Sequence, residues 1–182
     1  KKLVKWLSNT SRLILSDEQT KFVQSTNGFQ YLGYSFMHVL QHGTTKIKIY
    51  PSKQSQKELI SVVGDICRKF RSISTFNLIG LIKPKILIWA NYFKCVGCKK
   101  LFHKIDYKIF QILSSWVFRR DRKNSRSVVK EKYFPSGKTY NFRGYEYKDN
   151  WILCAKYKLT GSRAIESWIP RVAWVFLIKY IK

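Results

Sequence analysis

The sequence predicts an α+β fold, in which a β-hairpin precedes a helical bundle and a small C-terminal module with short strands. Alternating apolar residues before position 50, helical spacing from 56 to 120 and short aromatic runs after Pro135 support this order. The expected boundaries are 1–50, 51–135 and 136–182. With 45% hydrophobic and 16% aromatic residues in 182 positions, the chain can bury a core, which excludes a disordered chain.

The hairpin is predicted from two alternating runs. After the end of a helix over residues 1–9, Gly28 precedes a strand over 29–40. A turn at His42-Gly43 then leads into a second strand over 46–50.

Helices follow the hairpin. The segment 56–70 places apolar residues inward at helical spacing, namely Leu59, Ile60, Val63, Ile66, Cys67 and Phe70. Residues 77–83 form a separate apolar helix, and Pro84 fits the first turn of the next one. Within that next helix we expect Trp89, Tyr92 and Phe93 to be mainly buried. After the helices, short strands are predicted at 140–142 and 151–157.

The strongest predicted helix spans 99–120, and its two sides differ. At about 100° per residue, one face carries Leu101, Ile105, Ile109, Ile112 and Trp116. The adjacent arc carries Lys100, Lys104, Lys108 and Arg119.

The positive charge predicts a polyanionic partner. The formal net charge is +25, and residues 94–138 hold thirteen Lys and Arg against three acids. A helix face that is only exposed to solvent usually carries a mixture of positive and negative charges. The excess of positive charge over residues 94–138 therefore indicates binding to nucleic acid. A membrane span is not expected, since no apolar run reaches about 18 residues. The candidate RNA-binding residues are Lys100, Lys104, Lys108, Arg119, Arg120, Arg122, Lys123, Arg126, Lys130, Lys132 and the more exposed Asn91.

The four cysteines predict neither a disulfide framework nor a metal site. No secretory signal is recognisable, which argues against disulfides. Cys95 and Cys98 form one CxxC and His103 follows, but zinc would normally need a second pair at ligand spacing. Zinc at these three residues stays an open alternative.

Several sequence blocks, in the order expected for one family, carry a family resemblance. Phe29-Gln-Tyr-Leu-Gly-Tyr34 resembles the primer-grip block of reverse transcriptases, through Phe29, Leu32, Gly33 and Tyr34. Residues 13–20 resemble the block that precedes it. Residues 82–93, Ile-Lys-Pro-Lys-Ile-Leu-Ile-Trp-Ala-Asn-Tyr-Phe, resemble the signature of the group II intron maturase domain, called domain X. Phe102-His-Lys-Ile-Asp106 and Lys130-Glu-Lys-Tyr-Phe134 continue that domain.

The resemblance implies the C-terminal part of a group II intron-encoded protein, with the palm edge at 1–50, thumb and domain X at 51–135 and a basic module at 136–182. Without an initiator Met, the chain is expected to belong to something longer. The implied function is an RNA-binding maturase that assists folding and splicing of a group II intron. Its implied partner is structured intron RNA, with DNA as a further candidate, no membrane, and an oligomeric state that the sequence leaves open.

Departures from the family decide what chemistry to expect. The catalytic Tyr-Ala-Asp-Asp motif would precede Lys1, and the chain contains no Asp-Asp. Because polymerisation needs paired carboxylates to hold metal ions, we expect no catalytic residue and no cofactor here, and Mg²⁺ would belong to an upstream palm and the intron RNA. Gln19 replaces the family's Lys, which assists proton transfer to the leaving pyrophosphate.

Two other functions stay open. One is a fragment of an active RNA-directed DNA polymerase for intron mobility, and the other is a generic basic nucleic-acid-binding protein. Richness in Lys, Ile, Phe, Tyr, Asn and Ser is typical of AT-rich coding. It favours an organelle, a chloroplast rather than a mitochondrion, with a bacterial cytoplasm as the alternative.

Overall fold

The computed structural model describes residues 6, 9–10, 16, 23–158 and 164–177. The predicted helix over 1–9 and the block over 13–20 lie largely outside the described residues, and Gln19 lies outside them entirely. The chain divides into two compact units, Lys1–Ile49 and Tyr50–Lys182. Strands come first, helices follow, and short strands return near the C-terminus, so the predicted α+β class is confirmed.

The first unit contains a three-stranded sheet in the order β1-β2-β3. Its strands are β1 (Phe29–Tyr31), β2 (Tyr34–Gln41) and β3 (Thr44–Pro51), of which the last two residues belong to the second unit. The predicted hairpin at His42-Gly43 is present. Both turn residues have positive φ, 49° and 74°, as the tight turns of twisted hairpins require.

The single strand predicted over 29–40 is wrong. Leu32 and Gly33 have φ values of 47° and 76° and form a second tight turn. The strand therefore folds back on itself, and Phe29 pairs with Phe36 in an antiparallel register. Tyr31 and Tyr34 pair across the turn although they are three positions apart, so the apolar alternation shifts by one residue at Leu32 and Gly33. The prediction of one continuous strand did not take account of this shift.

Four helices form the first part of the second unit: α1 (Lys53–Lys69), α2 (Thr75–Phe93), α3 (Lys99–Arg120) and α4 (Arg126–Tyr133). Helix α1 begins three residues before the predicted start. Ser52 sets this start, because its hydroxyl accepts the backbone N–H of Ser55 at 3.1 Å and caps the helix. Ser74 caps α2 in the same way.

The predicted break before Pro84 is wrong, since α2 runs through it. A proline inside a helix removes one backbone hydrogen bond and strains the preceding turn. Here Ile79, Ile82 and Ile86 around it are completely or almost completely buried. Apolar burial on this scale, roughly 1.5–3 kcal/mol for each side chain, offsets the local penalty and keeps the helix continuous.

Contacts at both ends define how the first three helices pack. Trp89 of α2 donates its indole N–H to Ser55 of α1 at 2.9 Å and lies against Phe102 of α3. At the other end, Trp116 of α3 donates to the carbonyl of Phe70, just after α1, at 3.1 Å. Helices α1 and α3 therefore run in the same direction, and α2 runs against both.

The apolar side of α3 is wider than predicted. Ile105, Ile109 and Trp116 are buried as expected, whereas Leu101 and Ile112 are only half-buried. Burial also extends to the far side of the predicted face, at Phe102, Leu113 and Val117. The reason is that α3 packs against α1, α4 and a C-terminal helix, and not against one neighbour alone.

Short strands and one helix complete the second unit. Strands β4 (Lys138–Phe142) and β5 (Tyr145–Asp149) form one hairpin, and β6 (Cys154–Tyr157) pairs with β7 (Ile165–Trp168). Residues 151–153, predicted as strand, precede β6 without being part of it. Helix α5 (Val172–Leu177), β6 and β7 pack on α2. In the described part of the chain, no helix is long and apolar enough to cross a bilayer.

A buried carboxylate joins α3 to α5. Asp106 of α3 is only 7% exposed, and its two oxygens accept the backbone N–H groups of Val172 at 2.7 Å and Ala173 at 3.1 Å. These are N–H groups of the first turn of α5, which have no partner within their own helix. Arg171 beside them is held by Asp149 at 2.9 Å. The side chain of α3 thereby fixes where α5 begins.

Replacing Asp106 with Ala is expected to lower the free energy of unfolding by roughly 2–4 kcal/mol, because two buried N–H groups lose their acceptor. Chemical denaturation at pH 6 measures this. Glu58→Ala, on the exposed side of α1, is the matched control and should change stability by less than about 0.5 kcal/mol. Equal effects of the two substitutions would contradict the capping role of Asp106.

Asp106 also predicts a pH dependence of stability. Burial raises its pKa from 3.8 to about 7, although the N–H groups of Val172 and Ala173 and the nearby Arg171 favour the charged form. Between these two pKa values, Asp106 is more protonated in the native state than in the unfolded state. The contribution of Asp106 to the stability of the fold therefore falls as pH rises from about 4 to 7. The unfolding free energy of the wild type relative to Asp106→Asn should fall between pH 5 and pH 8. A constant difference would show that Asp106 does not titrate there.

Candidate nucleic-acid interface

Helix α3 presents a row of exposed lysines. Lys100, Lys104 and Lys108 recur every fourth residue, and all three are exposed. At 1.5 Å per residue, neighbouring members of the row are separated by about 6 Å along the helix axis. Among the described residues, none of the three forms an ion pair. Their ammonium groups are therefore available to an external anion.

The row ends in a groove between α1 and α3. The groove has a volume of about 740 Å³, and no acidic side chain is among the described residues that line it. Its cationic lining residues are Arg68, Arg71, Lys108, Arg119, Arg120 and Arg122. Four of these six were predicted from the sequence. The structure thus brings the end of the lysine row and the Arg119–Arg122 cluster to one place.

Arg68 and Arg71 were missed by the sequence analysis. They lie at the end of α1 and just after it, and Arg71 precedes Lys100, the first lysine of the row on α3, by 29 residues (100 − 71). Both lie at the end of the apolar pattern of α1, and the spacing of that pattern predicts only which residues face the core. The available signal was the segment Arg68-Lys-Phe-Arg71, where three cations surround a single apolar residue. Only the packing of α1 on α3 shows that they face the same groove.

Local contacts hold the arginines of the groove in place. Arg119 donates its Nε to the carbonyl of Ser115 at 3.0 Å. Arg120 donates to the carbonyl of Ile73 and lies 5.2 Å from the ring centre of Trp116. Arg68 pairs with Asp65 at the surface, and its guanidinium holds the pKa of that carboxyl below the usual range. Exposed pairs of this kind contribute little to stability, so Arg68 can exchange Asp65 for a phosphate.

A second groove continues the positive surface. It has a volume of about 610 Å³ and shares Ser115, Arg119 and Arg122 with the first groove. Arg126 lines its far side and lies 5.5 Å from the ring centre of Phe118. Together with the lysine row, the two grooves form a cationic track, defined as Lys100, Lys104, Lys108, Arg68, Arg71, Arg119, Arg120, Arg122 and Arg126.

Other candidate cations have acidic or polar neighbours outside the track. Lys132 pairs with Asp121 at 2.9 Å, and this contact lowers the pKa of Asp121. Lys130 contacts Ser136 and lies 5.2 Å from the ring centre of Trp151. Lys123 is exposed at the turn after α3. Part of the basic block therefore lies in the cationic track, whereas Lys130 and Lys132 contact other residues outside it.

The aromatic residues around Asn91 differ in burial. Phe93 is 2% exposed, and Trp89 is half-buried against it with 4.6 Å between ring centres. Tyr92 is 50% exposed, contrary to the expectation that it is core, because the buried side of α2 runs through Ile86, Ala90 and Phe93 and does not include Tyr92. Asn91 is half-buried and accepts Arg143 Nη2 at 2.9 Å. That contact lies apart from the lining of both grooves.

The primer-grip-like residues belong to the first unit. Phe29 lies on β1 and stacks on Phe36 with 4.7 Å between ring centres. Leu32 and Gly33 form the tight turn, and Tyr34 begins β2.

The cysteine pair stands apart from the cationic track. Cys95 is exposed and Cys98 is half-buried, and neither forms a disulfide in the described part of the chain. Burial, with Arg171 and Lys99 nearby, lowers the pKa of His103. The described residues contain no group of three or more His, Cys, Asp or Glu side chains placed to hold a metal ion.

Comparison with known families identifies the helical part of the chain. Residues 53–134 match the family described as the group II intron, maturase-specific domain. The matched segment begins at the first residue of α1, ends just after α4 and contains all residues of the cationic track. No curated protein matches the chain significantly. The match at residues 53–134 therefore supports the resemblance that the sequence shows to the C-terminal part of a group II intron-encoded maturase.

Proposed function

We propose that this chain binds group II intron RNA through the cationic track and assists the folding and splicing of the intron. The observation that carries the proposal is the groove between α1 and α3. Six cations and no acid line it among the described residues, and it lies within the maturase-specific domain.

The electrostatics of the groove favour a polyanion. Cations that converge in one groove repel each other, and a bound phosphate backbone relieves this repulsion. The free protein tolerates them because Arg68, Arg119 and Arg120 lie at the C-terminal ends of α1 and α3. The helix dipole places partial negative charge at these ends, worth about 0.3–1 kcal/mol for each cation. The groove cations can therefore stay close together without RNA, and a bound phosphate backbone stabilises their arrangement further.

The lysine row suggests how the RNA lies. Three ammonium groups at intervals of about 6 Å along α3 can follow successive phosphates of one strand. The strand then reaches the groove at Lys108, which belongs to both the row and the groove lining. Arginine can hold phosphates there with two parallel hydrogen bonds, which a point charge cannot do. We infer that the lysines align the strand and the arginines fix it.

Removing two members of the lysine row should weaken the salt dependence of binding. For Lys104→Ala with Lys108→Ala, the slope of log K against log salt concentration should decrease by about 1.5, because each lost phosphate contact removes about 0.7–0.9. Filter binding with group II intron RNA from 50 to 300 mM salt measures this slope.

The matched control is Lys53→Ala with Lys57→Ala, which removes the same charge from the exposed N-terminal half of α1. These residues do not line either groove, so the slope should change by less than about 0.5. Equal slopes for the wild type and the Lys104/Lys108 variant would contradict the proposal that the lysine row contacts phosphates.

The alternative function, a polymerase fragment, rests on the primer-grip-like turn at Leu32 and Gly33. We expect the 182-residue chain to show no primer extension with Mg²⁺ or Mn²⁺, because its sequence contains no Asp-Asp pair for two metal ions. A primer-extension assay next to the filter-binding assay tests this, with a complete reverse transcriptase as the positive control. Extension by the purified chain would favour the polymerase alternative.

A further inference from the structure

We propose that the groove between α1 and α3 binds one unpaired nucleotide of the RNA, with the base on an apolar floor and its phosphate on the arginine rim. The inference rests on the proposed RNA binding and adds what the groove recognises. A cationic surface alone needs no depression, whereas this surface contains an open groove of about 740 Å³. That is within the range of roughly 300–1,000 Å³ that holds small molecules in proteins.

The floor of the groove is apolar. Ile60, Cys67, Ile112 and Trp116 contribute side chains to its lining. Burial raises the pKa of the Cys67 thiol to about 11, so this side chain is neutral at physiological pH. A phosphate gains nothing from such a floor, because it would lose its hydration there. A flat, largely apolar base gains contact with it.

Gly64 opens the floor from the side of α1. It lies in the middle of this 17-residue helix, where Gly is less favourable than Ala by roughly 1 kcal/mol. Packing does not require it, because the three atoms nearest to a Cβ at this position would all belong to the guanidinium of Arg68, the closest at 3.4 Å. That group is the mobile end of a long side chain. The missing side chain therefore leaves room in the groove and allows a ligand to approach the backbone closely.

Polar groups on the wall can contact the edge of a base. The side-chain amide of Gln111 is exposed and has no hydrogen bond to any other residue in the described part of the chain. An amide offers both a donor and an acceptor, which suits the hydrogen-bonding edges of bases. Arg119 and Arg122 stand beside it on the rim.

The shape of the groove favours an unpaired nucleotide over a duplex. In an A-form helix the bases are stacked and paired inside, and the outer surface presents phosphates and sugars. A duplex can therefore contact the rim but cannot fill the floor. A nucleotide in a loop or bulge can turn its base outward, as most sequence-specific RNA recognition requires.

Three RNA hairpins test this proposal by fluorescence anisotropy. The first has a fully paired stem, the second carries one unpaired nucleotide in that stem, and the third carries an abasic residue at the same position. The wild type should bind the second about tenfold more tightly than either of the others, a modest value for the stacking of one base. Because the abasic hairpin keeps the same backbone disturbance, it separates recognition of the base from recognition of a bent stem.

Gly64→Leu fills the floor, and Gly80→Leu is its matched control. Gly80 is exposed on α2, and a Cβ there meets nothing within 4 Å. The first substitution should abolish the preference for the unpaired nucleotide. Binding of the paired hairpin should change less than about twofold, since the substitution displaces only Arg68 among the rim arginines and leaves Arg119, Arg120 and Arg122 in place. The second should leave the preference intact. Gly64→Ala is a second variant for the case that the Leu variant does not fold. Its methyl group displaces the end of the Arg68 side chain. It should reduce the preference for the unpaired nucleotide without lowering the thermal midpoint of unfolding.

The possible results separate the two proposals. Equal wild-type affinity for all three hairpins would overturn the nucleotide site and leave the proposed RNA binding intact. Persistence of the preference in Gly64→Leu and Gly64→Ala would place base recognition elsewhere and also overturn it. Salt-insensitive or absent binding of every hairpin and of intron RNA would overturn the proposed function itself.

Discussion

Helix α3 has to bury one side and hold a dense positive charge on the other, and the second unit depends on this separation. Its buried side contacts α1, α2, α4 and α5, through residues such as Phe102, Ile109 and Val117. Its charged side receives no covering element among the described residues of that unit. The packing of α1 beside it then creates the groove, because the cations of α1 and α3 meet where the apolar contact between the two helices ends.

The buried carboxylate of Asp106 connects α3 to the C-terminal helix α5. It is one of only three acids within the basic block, and it does not reduce the positive surface because it points into the core. Its role is to accept the first N–H groups of α5. Together with the pair of Arg171 and Asp149, it positions α5 against α2 and α3. The acids that remain on the surface mostly pair with cations outside the lysine row, as Asp121 does with Lys132.

The sequence predicted the elements whose signals are local, and it missed those that depend on packing. Helix α3 could be predicted because its pattern extends over six turns, and its lysine row follows from the same spacing. The continuity of α2 through Pro84 could not, since the isoleucines that offset the proline do so only when buried by other helices. The turn at Leu32 and Gly33 shifts the apolar alternation by a single residue, which is a weak signal within a short apolar segment. Arg68 and Arg71 entered the site only through the packing of α1 on α3, which no spacing within one helix can show.

The central claim is that intron RNA occupies the groove between α1 and α3, and residue-resolved protection of arginines tests it most directly. The chain would be treated with an arginine-selective dicarbonyl reagent, with and without group II intron RNA, and the modified sites measured by mass spectrometry. Arg68, Arg71 and Arg122 line the groove and should be protected by RNA, whereas Arg143, which is exposed after β4, should react equally in both samples. Protection of Arg143 with unchanged reactivity of the three groove arginines would contradict the account.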